Sequence, residues 1–278
     1  MSPPARDIPS SDRRLTRRGP VIPRLALCAS VLGAVLAFPR SALAQTDEIQ
    51  VYDGSIAGPG VLNLTSHDNY TPSGRTMPEF PGGLRPAHSL NGVLEWAYGV
   101  TPWFEAGLYL PLYSRPAVGG LAFDGFKLRA LFVEPDAASR RFVYGVNVEF
   151  SVNAAHWDQH RYTQEIRPIL GWHLGPIDLI INPILDNTYQ GISRLDFAPA
   201  TRIAWNVSPN WALAAEEYDD LGSLRHFNAP ARQSHQLFGV FDYKGRPWSI
   251  EGGLGFGFTG ASDRWVVKLI VSRDLTGQ

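Results

Sequence analysis

Polar and apolar residues alternate along most of the chain with a period of two rather than 3.6. From Phe142 to Val152 every even-numbered position is aromatic or Val, whereas the odd-numbered positions include Asn147, Glu149 and Ser151. This period is typical of a β-strand with one apolar face. Such segments here run for about ten residues, which is the strand length of a transmembrane β-barrel, whereas soluble strands usually have about five or six.

Short and long connections alternate between these segments, as in outer-membrane barrels, which have short periplasmic turns and longer outside loops. The pattern therefore predicts an all-β chain that forms a single antiparallel transmembrane β-barrel of about twelve strands, with both ends in the periplasm. The predicted strands are 61–70, 89–100, 103–112, 123–133, 141–153, 163–173, 177–187, 195–206, 211–219, 235–243, 248–258 and 264–275.

The first 44 residues have the features of a secretory signal peptide. Six Arg residues lie in the first 24 positions, an apolar run extends from Leu25 to Phe38, and Ala42-Leu43-Ala44 follows. A positive region, a short apolar region and a small-x-small site are what signal peptidase requires. We therefore expect cleavage after Ala44 and location in the outer membrane of a Gram-negative bacterium.

The sequence divides into a signal peptide (1–44), an N-terminal segment (45–60), the barrel (61–275) and a C-terminal tail (276–278). Residues 48–57 also look strand-like, but a thirteenth strand would place the N-terminus outside the cell. We therefore expect residues 45–60 to lie in the periplasm or to fold into the barrel lumen.

The composition argues against several other classes of protein. Charged residues make up 18% of the chain, below the roughly 25% of an ordinary soluble domain. The one Cys excludes a disulfide within the chain, and a net charge of −1 argues against a chain-wide nucleic-acid surface. No uncharged apolar run reaches the roughly 18 residues of a transmembrane helix.

Tryptophan placement agrees with the predicted topology. Trp belongs at membrane interfaces, where the ring is buried and the N–H is hydrated. Five Trp residues flank predicted periplasmic turns and a sixth lies near the opposite end of its strand. The predicted interface anchors are Trp103, Trp172, Trp205, Trp211, Trp248 and Trp265.

The polar phase of each strand is expected to face the lumen, because a charge facing lipid costs roughly 2–4 kcal/mol at the midplane. Two interpretations stay open: these charges pair and fill the interior, or the acidic excess favours cations and the Lys and Arg residues form a selective constriction. Asp186 and Asp196 are also in the inward phase. The lumen and constriction candidates are Glu95, Glu105, Lys127, Arg129, Glu149, Glu165, Arg167, Asp178, Arg202, Glu216, Glu251 and Lys268.

Motifs that could carry chemistry are weak. His156 and His160 are metal-ligand types, but they lie in a predicted outside loop. Ser66, His67 and Ser89 could meet near the outer rim, although no hydrolase motif is present. The acidic residues at 216–220 favour a solvated rim or a divalent-cation contact to lipopolysaccharide. We predict no catalytic residue, no metal site and no cofactor.

Several runs resemble an uncharacterised group of proteobacterial outer-membrane β-barrels related to phenol-degradation-associated (MetA-pathway) outer-membrane transporters. The resemblance spans nearly the whole mature chain and implies a barrel that passes solutes, with no catalytic residues to carry over. The runs are EIQVYDGSI at 48–56, LTSHDNYTPSGR at 64–75, LNGVLEWAYGVTPWFEAGLYLPLYS at 90–114, EIRPILGWHLGPIDLIINPILD at 165–186 and LDFAPATRIAWNVSP at 195–209.

The function expected from the sequence is a porin-like channel for passive passage of small solutes through a polar lumen. Alternatives are an outer-membrane lipid hydrolase or deacylase and a closed structural or recognition barrel. The expected partners are outer-membrane lipids and lipopolysaccharide, the barrel-assembly machinery and a small-molecule solute, with no nucleic acid.

Overall fold

The computed structural model describes residues 47–277, so the predicted signal peptide and its cleavage site lie outside the described residues. Twelve β-strands follow one another, and two of them run in two parts. Three single-turn 3₁₀ helices lie in the connections, at Ala137–Ser139, Ile192–Arg194 and Pro230–Arg232. The strands are β1 Leu62–Ser73, β2 Leu90–Thr101, β3 Phe104–Arg115, β4 Ala122–Val133, β5 Phe142–Asn153, β6 Tyr162–Leu174, β7 Ile177–Asn182 with Leu185–Asn187, β8 Asp196–Phe197 with Ala200–Ser208, β9 Trp211–Asp220, β10 Ser234–Lys244, β11 Ser249–Gly257 and β12 Trp265–Asp274.

Each strand pairs antiparallel with its neighbours in sequence, and β1 pairs with β12 from Asn63 opposite Asp274 to Ser73 opposite Trp265. The sheet therefore closes into a barrel with no free edge, which confirms the predicted fold class and strand number. Among residues 47–277 no helix is long and apolar enough to span a membrane.

Proline interrupts the strand pairing at two neighbouring points that the sequence pattern treats as continuous. Pro183 divides β7 and Pro199 divides β8, because proline has no N–H to donate to the ladder. The wall stays joined there through Ala198, whose N–H donates to the carbonyl of Ile184 at 3.1 Å. The ladder resumes at Leu185 opposite Phe197.

The outward phase of the strands is apolar, and aromatic rings gather at the end with the short turns. Trp103 stacks on Phe132 with ring centroids 6.1 Å apart, and Trp211 lies 4.9 Å from Tyr243. The other predicted anchors lie at this end except Trp265, which begins β12 at the end with the long loops. This distribution is typical of interfacial belts, and the interfacial role of these residues stays a prediction.

Asp68 is a charged exception on the outward face of β1. Its carboxylate accepts hydrogen bonds from Ser66 Oγ, at 2.8 Å, and from the Tyr113 hydroxyl. Gly92 of β2 leaves room beside it, since an added Cβ would lie 2.8 Å from Asp68 Oδ1. The two donors offset the cost of turning a carboxylate away from the lumen.

Candidate functional site: the barrel interior

The N-terminal segment, defined here as residues 47–57, lies inside the barrel rather than forming a strand. It extends from the long-loop half of the lumen, at Asp47, towards the short-turn end, where the chain enters β1. Its apolar side chains enter patches on the interior wall, so burial drives its docking. Ile49 packs on Phe238, Val240 and Val266; Val51 packs on Ile180, Ile184 and Ala200; and Tyr52 lies among Leu131, Val133, Val143 and Ile169.

Side chains of the wall satisfy the backbone of the segment, which has no strand partner of its own. Asn182 accepts a hydrogen bond from the Tyr52 N–H at 2.7 Å and donates to the Tyr52 carbonyl at 3.0 Å. Arg167 donates to the carbonyl of Gln50 at 2.8 Å, and Lys268 donates to that of Ile49 at 3.2 Å. Buried backbone groups need such partners, so the wall is built to hold this segment.

The segment is also held near the short-turn end. The hydroxyl groups of Tyr52 and Tyr109 lie 2.6 Å apart, and the Ala57 N–H donates to Glu105 Oε2 at 2.5 Å. Tyr109 is fully buried on β3. Neither tyrosine stands out in the sequence as a lumen residue, because each occupies an ordinary alternating position.

The first of three charge clusters on the wall is centred on Arg129 of β4. Its guanidinium binds Glu95 at 2.5 Å and Glu105. His67 of β1 lies 3.0 Å from the other oxygen of Glu95. All four side chains are buried, so a broken pair here would leave an uncompensated charge at high cost.

The second cluster joins the wall to the N-terminal segment. Lys127 binds Asp47 of the segment at 2.8 Å and Glu149 at 3.4 Å. Arg167 binds Glu165 at 2.6 Å. Lys127 and Arg129, which the sequence suggested for a constriction, therefore each bind two carboxylates in this structure.

The third cluster lies on β8 to β12. Arg202 binds Glu216 and Asp242, and its Nη1 lies 3.5 Å from Glu251. Lys268 binds Glu216 and lies 2.5 Å from Glu251. Glu216 is fully buried, and its two cationic partners are what make that burial tolerable.

The structure places the twelve lumen candidates on the interior phase of their strands. Eleven of them belong to the three clusters. Asp178 stands apart near a short turn, where it lies 2.6 Å from His173 and accepts a hydrogen bond from Asn206 at 2.7 Å. The interior therefore consists largely of paired charges, which favours the first of the two interpretations for this part of the lumen.

A cavity of about 240 Å³ lies above the N-terminal segment, on the side of the long loops. Its floor is formed by residues 47–50, and floor and walls together carry ten carboxylates against three Lys and Arg side chains among residues 47–277. Arg75 reaches it from the longest loop and binds Asp263 at 3.4 Å. The interior thus has a filled half and an open, acidic half.

The weak motifs do not come together as catalytic sites. Ser66 and His67 are adjacent strand residues and so point to opposite faces of the sheet; Ser66 binds Asp68 and His67 binds Glu95. His156 binds Asp124, and His160 binds Asp158. Within the described part of the chain, one set of possible metal ligands lies elsewhere, where ligand atoms of Glu217, Asp219 and His235 fall within 4.8 Å of one another.

No protein-family model and no curated protein match the chain. Solved structures do match. The crystal structure of the COG4313 outer membrane channel from Pseudomonas putida F1 has a TM-score of 0.56 and 14% identity, over 82% of this chain and 100% of that chain. The chain shares that channel's fold. The KdgM porin in complex with disordered oligogalacturonate has a TM-score of 0.49 and 9% identity, over 77% of this chain and 99% of that chain.

Proposed function

We propose that the protein is an outer-membrane channel for passive passage of small solutes, and that the N-terminal segment closes it in this structure. The observation that carries the proposal is the closed barrel with a charged interior, filled on the short-turn side by an eleven-residue segment (47–57) rather than by barrel side chains alone. A barrel that needed only a packed core would have no use for a separate, backbone-anchored segment.

We propose in addition how the protein reaches the outer membrane. Residues 1–44 act as a signal peptide that is cleaved after Ala44, and the barrel-assembly machinery inserts residues 61–275. The long loops then face outward among lipopolysaccharide and the short turns face the periplasm, as in other barrels of this type. We also propose that the protein is related to phenol-degradation-associated (MetA-pathway) transporters and that it has no enzymatic activity.

Closure by the segment is reversible. The segment is joined to β1 by Gly58-Pro59-Gly60, and Gly60 has a left-handed φ of 80° that favours glycine. Its docking rests on hydrogen bonds, on small apolar patches and on ion pairs such as Lys127 with Asp47, with no covalent cross-link to the wall among the described residues. Partial release towards the periplasm would open a polar path, and the free energy of docking sets how often the channel is open.

Planar-bilayer recording on the refolded mature chain tests the proposal. We expect brief discrete openings for the wild type, and at least a tenfold greater open fraction for Tyr52→Ala, because that variant loses the Tyr109 hydrogen bond and the apolar contacts of the ring. Tyr98→Ala, on the exposed outer face, is the matched control. Each protein is first shown to be folded by its heat-dependent migration on gels.

Silence of both the wild type and Tyr52→Ala, in folded protein, would contradict the proposal. That result would favour the closed structural or recognition barrel, for which the paired interior charges are the supporting observation. The lipid hydrolase alternative has less support, because Ser66 and His67 point to opposite faces of the wall.

A further inference from the structure

The open half of the lumen contains a row of like charges. Glu149, Glu165, Asp186 and Asp196 lie directly opposite one another on four successive strands, β5 to β8. All four line the cavity above the N-terminal segment. Like charges directly opposite each other across a sheet are destabilising, so nearby cations are needed to offset the repulsion within the row.

Side chains of the described residues form ion pairs with only half of this row. Lys127 lies 3.4 Å from Glu149, and Arg167 lies 2.6 Å from Glu165. Within residues 47–277, no Lys, Arg or His nitrogen lies within the 4.0 Å ion-pair distance of Asp186 or Asp196. Two half-buried, adjacent carboxylates are therefore left to share one face of the cavity.

Glu48 is an independent sign that this cavity binds a ligand. Glu48 is only 7% exposed, and neither of its carboxylate oxygens accepts a hydrogen bond from any described residue. The nearest ion-pair contact is Arg167 Nη1, at 3.8 Å, and Arg167 already donates to Glu165 and to the Gln50 carbonyl. A buried carboxylate without donors is costly, and a bound cation with N–H groups would remove that cost.

We propose that this cavity binds a small organic cation through ammonium or guanidinium groups, with Asp186 and Asp196 as the main contacts and Glu48 at the floor. At about 240 Å³ the cavity is several times larger than a bare ion requires, since one water takes up about 30 Å³. Tyr218 and Trp157 also line it, and aromatic faces attract organic cations. The inference rests on the proposed channel function and names its solute class.

Calorimetric titration of the folded mature chain in detergent with 1,4-diaminobutane tests this proposal, with 1,4-butanediol as the neutral probe and Mg²⁺ as the inorganic one. We expect saturable binding of the diamine, at least tenfold weaker in the double variant Asp186→Asn with Asp196→Asn, and no saturable binding of the diol. Asp136→Asn, in an exposed short turn at the opposite end, is the matched control and should bind as the wild type does.

Glu48→Gln provides a second variant that leaves the barrel wall unchanged, and it should also weaken diamine binding. Equal binding by the double variant, equal binding of the diol, or binding of Mg²⁺ alone would overturn the inference. Titration needs no conduction, so a silent bilayer with intact diamine binding would count against the channel and leave the cation site standing. A conducting channel that does not bind the diamine would support the channel function and count against the cation site.

Discussion

The two halves of the lumen differ in how their interior charges are balanced. On the short-turn side, Arg129 and Arg202 each bind at least two carboxylates, and the N-terminal segment fills the remaining space. On the long-loop side, ten carboxylates surround an open cavity with only three Lys and Arg side chains. The first half is arranged for stability and closure, whereas the second keeps unbalanced charge next to free space, as a solute site requires.

The largest expected effect is on stability in the filled half. Arg202→Met removes the one ion-pair partner that Asp242 has among the described residues and leaves buried Glu216 with Lys268 alone. This should lower the free energy of unfolding by about 3–5 kcal/mol. Urea unfolding of the barrel in lipid vesicles measures this. Lys244→Met, on an exposed strand end, should change stability little. A loss below about 1 kcal/mol for Arg202→Met would mean that the cluster is hydrated rather than dry.

The docking of the segment depends on Asn182, whose amide satisfies both backbone groups of Tyr52. Asn182→Ala should weaken docking by about 1–3 kcal/mol, since it leaves two buried polar groups without partners. The open fraction in bilayers should rise roughly five- to 150-fold. Asn206→Ala, near a short turn, is the matched control. An unchanged open fraction for Asn182→Ala would show that docking of the segment does not control channel opening.

Packing behind the segment can be tested with glycine. A Cβ at Gly255 would lie 2.3 Å from the ring of Phe238, which is fully buried against Ile49, whereas a Cβ at Gly239 meets nothing within 4 Å. Gly255→Ala should cost about 1–3 kcal/mol by overpacking, and Gly239→Ala should cost far less. Urea unfolding compares the two, and equal costs would show that Phe238 has room to move.

The smallest effect has the opposite sign and belongs to the open half. Asp186→Asn removes one charge from a row of opposed carboxylates, so it should stabilise the barrel by about 0.2–1 kcal/mol. Asp136→Asn should be neutral in the same urea unfolding experiment at low salt. Destabilisation by Asp186→Asn would show that a cation already balances this carboxylate in the folded protein.

Period-two alternation was sufficient to predict the barrel because one slip of register turns every side chain to the other face. Glu216 and Lys268 are therefore placed inward by pattern alone. The pattern could not predict which charges pair, since partners such as Arg202 and Asp242 come from strands far apart in the sequence. It also could not choose between the periplasm and the lumen for residues 48–57, because the docking patches form only once the barrel closes.

Closure by the N-terminal segment is tested most directly by the open fraction of the refolded mature chain in planar bilayers, compared between the wild type and Tyr52→Ala. We predict a mostly closed wild-type channel with brief discrete steps, and a variant whose open fraction is at least ten times larger. A wild type that conducts steadily and cannot be distinguished from Tyr52→Ala would contradict closure by the N-terminal segment.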